Sequence, residues 1–211
     1  MTSRSPAVDA LLARVREAVR AQPVSVASVP SHAMVRRVAR EQSDLASLFA
    51  TKASAIGMRV TRISDAELDA TIAKLLENRG KTVVAVCDQA LAARAATAAG
   101  ARLAPNDNDD LLFDCEVGIT DVDCAIAESG SLVVSTNGRI RNAWITPPIH
   151  IAIVRAGEIV ADLVDLFESR PDALDAASTT IITGPSKTAD IEGVLVTGVH
   201  GPAAVEIVLV G

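Results

Sequence analysis

Tyrosine is absent from this 211-residue chain, and aromatic residues make up only 2% of it, Trp144 being the single tryptophan. A base-stacking surface for single-stranded nucleic acid needs more aromatic rings than that. Basic residues are outnumbered, 20 Lys and Arg against 26 Asp and Glu, for a net charge of -6, which also argues against nucleic-acid binding. No apolar run reaches the ~18 residues of a membrane span. The first residues carry Arg4, Arg14, Arg16 and Arg20 beside Asp9 and Glu17 and lack the continuous apolar stretch of a secretory signal. They read as an amphipathic helix, with a mitochondrial transit peptide as the alternative. Cysteine is scarce: Cys87, Cys115 and Cys124, an odd count without a CxxC pair, predict buried thiols in the reducing cytoplasm.

Several chemistries lack their signatures. There is no iron–sulfur cysteine run, no HExxH, no GxGxxG, no GxxxxGK[ST] and no GxSxG. His32, His150 and His200 are too scattered for metal-ligand spacing. The chain is therefore expected to hold no metal and no cofactor of its own. Pro105–Asp110 is acidic but lacks the glycine and terminal glutamate of an EF-hand, and reads as a solvated loop.

What is present is apolar: 49% of residues are hydrophobic, enough for a sizeable core of Ala, Val, Ile and Leu and too many for a disordered chain. Ser5 and Pro6 suit the start of a helix whose Val8, Leu11, Leu12, Val15 and Val19 share one face. Met34, Val35, Val38, Leu45, Leu48, Phe49 and Ile56 mark a second helical stretch, broken near Ser43 and stopped by Gly57. Residues 1–56 are thus expected to be a helical lead-in that packs on the main body or on a partner, followed by a domain over 57–211.

From Met58 the period changes. Met58–Ile63 is strand-like, and Ser64-Asp-Ala-Glu67 has capping-box spacing before a helix with Leu68, Ile72, Leu75 and Leu76 on one face, ended by Gly80. Thr82–Val86 reads as a buried strand, and Asp88 as the cap of an Ala-rich helix reaching Gly100. Further strands are expected at Val117–Thr120, Ser131–Ser135, Ile149–Val154, Thr180–Thr183 and Val205–Val210. The alternation predicts an α/β fold with a parallel-dominated sheet and helices on its faces.

Four segments can carry chemistry. Ala127-Glu-Ser-Gly-Ser131 places Glu128 before a strand among small residues: a base or nucleophile with Ser129, Gly130 and Ser131 beside it, or a carboxylate that satisfies turn amides. Asn137–His150 holds Arg139 and Arg141, which on one extended face clamp an anion and otherwise are solvated. In that segment Trp144 reads as a core residue and His150, at a strand start, as a structural histidine or an anion contact. Thr183-Gly-Pro-Ser-Lys-Thr-Ala-Asp-Ile-Glu192 gathers Gly184, Ser186, Lys187, Thr188 and Asp190 in what reads as a helix start or a nest of amides at the carboxyl end of a parallel strand, suited to an anion. A capped helix start is the alternative. Gly198-Val-His-Gly-Pro202 leaves His200 accessible as an acid, base or donor, with Gly201 beside it and Pro202 able to open a last helical turn.

Gly118-Ile-Thr, Ala125-Ile-Ala-Glu-Ser-Gly-Ser131, Pro147-Pro-Ile-His-Ile151, Gly184-Pro-Ser-Lys-Thr-Ala-Asp-Ile-Glu192 and Gly198-Val-His-Gly-Pro202, in that order, resemble the LUD-domain family. The resemblance covers about residues 58 to 211 and is strongest after Gly118. It implies a three-layer architecture resembling the NagB/RpiA/CoA-transferase-like fold, preceded by the helical extension. It also implies a role in oxidising L-lactate to pyruvate, as a non-redox subunit or accessory factor with a pocket for a small anionic metabolite. Other lactate utilization components would be its partners, and iron–sulfur clusters are expected on those partner subunits only. Two alternatives stay open. One is a stand-alone isomerase or acyl/CoA-transferase-type enzyme, with Glu128 as base or nucleophile, Ser186 and Lys187 holding the anionic group and His200 moving a proton. The other is an interaction module that docks iron–sulfur partners.

Overall fold

Two units separate in the computed structural model, Met1–Arg36 and Arg37–Gly211. The described residues are 6–21, 37–38, 44–77, 79, 82–86, 89–104, 112–137, 139–191 and 194–211. Ser5, His32, Met34, Val35, Ser43, Gly80, Cys87, Asp88, the acidic Pro105–Asp110 stretch, Gly138 and Glu192 lie outside them. In the first unit, helix α1 (Pro6–Ala21) starts at the proline, and its Val8, Leu11, Val15 and Val19 are all exposed.

In the second unit, β1 (Arg59–Ile63), β2 (Thr82–Val86), β3 (Arg102–Leu103), β4 (Val117–Asp121), β7 (Ile149–Arg155) and β12 (Ala204–Val210) form a six-stranded sheet ordered β1-β12-β7-β4-β2-β3. Every pairing in it is parallel. The Val/Ile/Leu-rich spelling of β7 and β12 follows from burial on both faces. A second sheet, ordered β8-β5-β6-β9, joins β5 (Cys124–Ile126), β6 (Ser131–Ser135), β8 (Ile159–Val160) and β9 (Thr179–Ile182). A separate hairpin pairs β10 (Lys187–Ile191) with β11 (Val194–Thr197).

Helices α3 (Leu68–Leu76) and α4 (Gln89–Ala98) cover one face of the large sheet, packing Ile72, Leu76 and Ala92 on Val117, Ile119, Ile151 and Ile153. The alternate residues Ala152 and Val154, with Val205, Ile207 and Leu209, face the other way. There they meet Phe49 and Ala53 of α2 (Leu45–Ala55), Ala143 and Trp144 of the short α5 (Asn142–Ile145), and Leu132 and Val134 of β6. Each large side chain fully buried in these layers contributes roughly 1.5–3 kcal/mol. Helices α6 (Leu163–Ser169) and α7 (Pro171–Leu174) pack Leu166 and Ala173 under the outer face of the second sheet.

The end of α2 carries two backbone bonds of a Schellman motif, Gly57 N–H to Ser54 O at 3.1 Å and Met58 N–H to Ala53 O at 3.1 Å, so Gly57 stops the helix as its sequence position predicts. α2 supplies Phe49 and Ala53 to the core, and the compact unit begins at Arg37, ahead of the residue-57 start expected for the domain. Arg37 is tied down by buried acids: its Nε–H donates to Asp162 Oδ2 at 2.7 Å and its Nη2–H to Asp165 Oδ1 at 2.6 Å. Burial pushes the Asp162 carboxyl up, but bonds from Arg37, Asp165 N–H and Val38 N–H outweigh it and hold the group below its usual range. Glu206, also buried, pairs with Arg59 at 3.0 Å and with Arg79.

Three local expectations change. Lys187–Ile191 is a strand instead of a helix start, because Lys187, Thr188 and Ile191 find cross-strand partners in Thr197, Val196 and Val194. The strand before Gly184, β9, pairs antiparallel with β6, so the corner does not stand at the carboxyl end of a parallel strand. Pro202 leads into β12 and opens no helical turn.

Candidate functional site

The segment Thr183–Ser186 and the loop Gly198–Pro202 are stitched together by backbone bonds: Ser186 N–H donates to Pro202 O, and Gly198 N–H to Ser186 O, each at 2.9 Å. The loop is held in turn by the Pro147-Pro148 segment, where Pro148 O accepts from Ala203 N–H at 2.8 Å. A cavity of about 230 Å³ opens between these pieces. Its wall takes Trp144 and Ile145 from α5, Thr180–Ile182 from β9, then Thr183, Gly184 and Ser186, and His200, Gly201, Pro202 and Val205. It therefore sits beside the segments entering β7 and β12, at the amino-terminal side of those parallel strands. His200 is exposed at the cavity, and Gly201 faces Ser186 so closely that a Cβ there would stand 3.2 Å from the serine Cβ.

A chain of hydroxyls runs behind the wall. Ser129 Oγ lies 2.7 Å from Ser131 Oγ, which lies 2.8 Å from Thr183 Oγ1. This follows from strand register: Leu132 of β6 pairs with Ile182 of β9, which sets Ser131 opposite Thr183. The turn carrying Glu128 is thus linked to the corner carrying Gly184, but Glu128 itself is exposed and does not line the cavity. Gly130 has φ +71, and a Cβ on it would stand 2.3 Å from Ala53 N, so the turn is glycine-bearing because α2 lies directly against it.

The other sequence candidates lie elsewhere. Lys187 and Thr188 belong to β10 beyond the cavity wall, as does the Asp190 position. Arg139 donates from Nη1 to Asp121 O at 3.1 Å and pairs through Nη2 with Asp123 at 3.4 Å. Arg141 is exposed at the head of α5, so the two arginines do not share an extended face. His150 is fully buried in β7; its Nε2 is 2.8 Å from Thr120 Oγ1, and burial pushes its pKa down to about 4. It is a neutral core group. Cys115 and Cys124 are buried, and burial raises both thiols, Cys124 to about 11, too high for a thiolate nucleophile. Among the described residues no group of three or more His, Cys, Asp or Glu side chains is placed to hold a metal ion.

Trp144 is the participant that sequence reasoning assigned only to the core. It is 1% exposed, yet it lines the cavity, and its Nε1–H has no acceptor among the described residues. The sequence signal that could have found it is its place six residues before His150, in the segment leading to β7. Thr180, Ile181 and Ile182 were also missed, since β9 reaches the wall through its pairing with β6, which local pattern does not disclose.

The conjunction of these segments has counterparts in known proteins. Lactate utilization protein C of Exiguobacterium sp. strain AT1b is 31% identical over 181 residues, which cover 80% of this chain and 79% of that protein. Its namesake from Geobacillus sp. strain WCH70 is 36% identical over 109 residues, 49% of this chain and 45% of the relative. That from Halalkalibacterium halodurans is 40% identical over 95 residues, 41% of this chain and 40% of the relative, so these two matches span less than half of the relatives' lengths. The crystal structure of a DUF162 family protein from Deinococcus radiodurans superposes with a TM-score of 0.61 over 82% of this chain and 99% of that one, at 20% identity, a likeness of fold. The LUD domain model matches residues 46–210, β1 through β12 and most of α2 included, and the chain belongs to the LUD-domain family.

Proposed function

We propose that this chain is a non-redox component of L-lactate utilization that binds a small anionic metabolite in the cavity and works with iron–sulfur partner proteins in the cytoplasm. The observation that carries the reading is the meeting of the Thr183–Ser186 and Gly198–Pro202 segments across one cavity. The pathway is supported by the relatives named Lactate utilization protein C. The non-redox role is supported by the sequence, whose three cysteines form no cluster-binding run. In this reading Ser186 and His200 meet the ligand, and His200 is the group able to take or give a proton there.

Deleting the gene and growing cells on L-lactate as sole carbon source tests the role. Growth is expected to fail and to return with a plasmid copy. Normal growth in a strain without a second lactate-oxidising system would overturn the proposal.

The docking role is favoured by one further observation, the exposed apolar side chains Leu11, Val15 and Val19 of α1. Removing residues 1–36 is expected to end co-purification with iron–sulfur partners. Undiminished co-purification would assign docking to the second unit.

A further inference from the structure

The apolar face of α1 is open. Val8, Leu11, Val15 and Val19 are 43 to 66% exposed, and no residue of the helix is buried. At about 3.6 residues per turn these side chains and the half-buried Leu12 form one stripe. Charge flanks the stripe unequally. Asp9, Arg16 and Arg20 follow one edge, since 9 and 16 are seven apart and 16 and 20 four apart; Arg14 lies on the opposite edge and Glu17 on the back. Asp9 has no arginine three or four positions away, the spacings at which side chains of one helix pair.

That pattern selects what fits the stripe. In a two-fold antiparallel helix pair each edge meets its own copy run backwards; in a parallel pair it meets the opposite edge. Antiparallel, Val8 stands level with the second copy's Val19 and Leu12 with its Val15. The same register sets Asp9 midway between the levels of Arg16 and Arg20 across the pair, about 3 Å along the axis from each. Symmetry makes this contact twice. Its cost is one unfavourable meeting, of Arg14 with its own copy on the other edge. Parallel, each Arg14 would face the edge holding Arg16 and Arg20, and neither Asp9 would face a positive charge. The antiparallel arrangement also opposes the two helix dipoles.

We propose that α1 is a self-pairing element through which two copies of this chain join, as an antiparallel two-helix interface closed by Asp9 with Arg16 and Arg20. This goes beyond the docking role proposed above: the occupant of the stripe is a second copy, and iron–sulfur partners meet the dimer. The interface is small, so the association is weak and depends on concentration.

Sedimentation equilibrium of the full chain from about 1 µM to about 1 mM tests it. A monomer–dimer equilibrium is expected, weakened about tenfold or more by Val15→Glu, which sets a charge in the stripe. Two further variants test the register. Asp9→Arg alone and Arg16→Glu with Arg20→Glu alone each place like charges across the pair, and each is expected to dimerise about tenfold more weakly. Mixed, they are complementary at both contacts and are expected to pair about as tightly as the unaltered chain, with circular dichroism confirming that each keeps its helix content. A monomer throughout the range overturns the proposal, as does a dimer indifferent to Val15→Glu. Variants that pair no better mixed than alone overturn the antiparallel joint. Should a variant lose helix, the unaltered chain and Val15→Glu decide. The docking reading fails separately: a monomeric chain that co-purifies with iron–sulfur partners keeps it and removes the self-pairing, whereas a dimer without such partners does the reverse.

Discussion

Two turns built from glycine and small polar residues look alike in sequence and behave oppositely. In Ala127–Ser131 the backbone is consumed by its neighbours: Ala127 N–H donates to Val160 O at 2.9 Å, Glu128 N–H to Ala161 O at 3.0 Å and Gly130 N–H to Ile126 O at 2.9 Å. Gly130 is pressed against α2, and only Glu128 points away into solvent. In Thr183–Ser186 and Gly198–Pro202 two backbone bonds hold the segments together, and residues of both line a cavity. The first turn closes a packing joint; the second pair opens a binding space. Glycine next to serine signals close approach of something, and whether that something is a helix or a ligand is decided by what packs there.

Gly130→Val tests the joint most severely. The left-handed backbone costs a branched residue about 1–2 kcal/mol and the clash with α2 about 1–3 more, so a loss of roughly 2–5 kcal/mol is expected in denaturant unfolding. Gly201→Ala, at the cavity, where a Cβ would stand 3.2 Å from that of Ser186, is expected to cost no more than about 1 kcal/mol while weakening binding of the proposed small anion. Equal losses at the two glycines would erase the contrast.

The buried histidine of the family segments sharpens it. Burial holds His150 at about 4, against ~6.5 in the unfolded chain. Between those values the unfolded chain binds the proton and the folded chain does not. Stability is therefore full above pH ~6.5 and falls by about 3 kcal/mol as the pH drops toward 4. His150→Gln is expected to remove that part of the pH dependence in urea melts at stepped pH; an unchanged pH dependence would deny the buried imidazole that role.

Smaller effects follow. Thr183→Val cuts the hydroxyl chain at Ser131 and is expected to cost about 1 kcal/mol in the same assay. Glu128→Gln is expected to change stability by less than about 0.5 kcal/mol and to leave growth on L-lactate as it was. A loss of growth with Glu128→Gln would return the carboxylate to the chemistry.

Much of the fold was legible because strands buried on both faces have little freedom of composition. Thr82–Val86, Ser131–Ser135 and the apolar runs ending at Val154 and Val210 are the strands expected, within a residue or two. The capping box was legible too: Ser64 N–H donates to Glu67 Oε2 at 2.9 Å. Legibility fell where short elements depend on distant partners. β8 is two residues long and exists through Ala125 and Ile126 of β5, and β10 pairs with β11, which local pattern did not disclose. Of the candidate residues, Gly184, Ser186, His200 and Gly201 share the cavity, Ser129 and Ser131 stand behind it, and the remainder are spread through turns, β7 and β10.

By itself, then, the order of residues determined the alternation of strands and helices and marked the segments of family character, since both are local properties of spacing and side-chain type. Which of those segments meet was decided by tertiary structure. The register of β9 on β6, the lie of α2 against Gly130 and the position of α5, whose Ala143 carbonyl would stand 2.0 Å from a Cβ on Gly118, are set by packing between residues far apart in the chain. Close packing leaves little choice in such contacts. It is this packing that turned Trp144 from an ordinary core residue into part of the cavity wall.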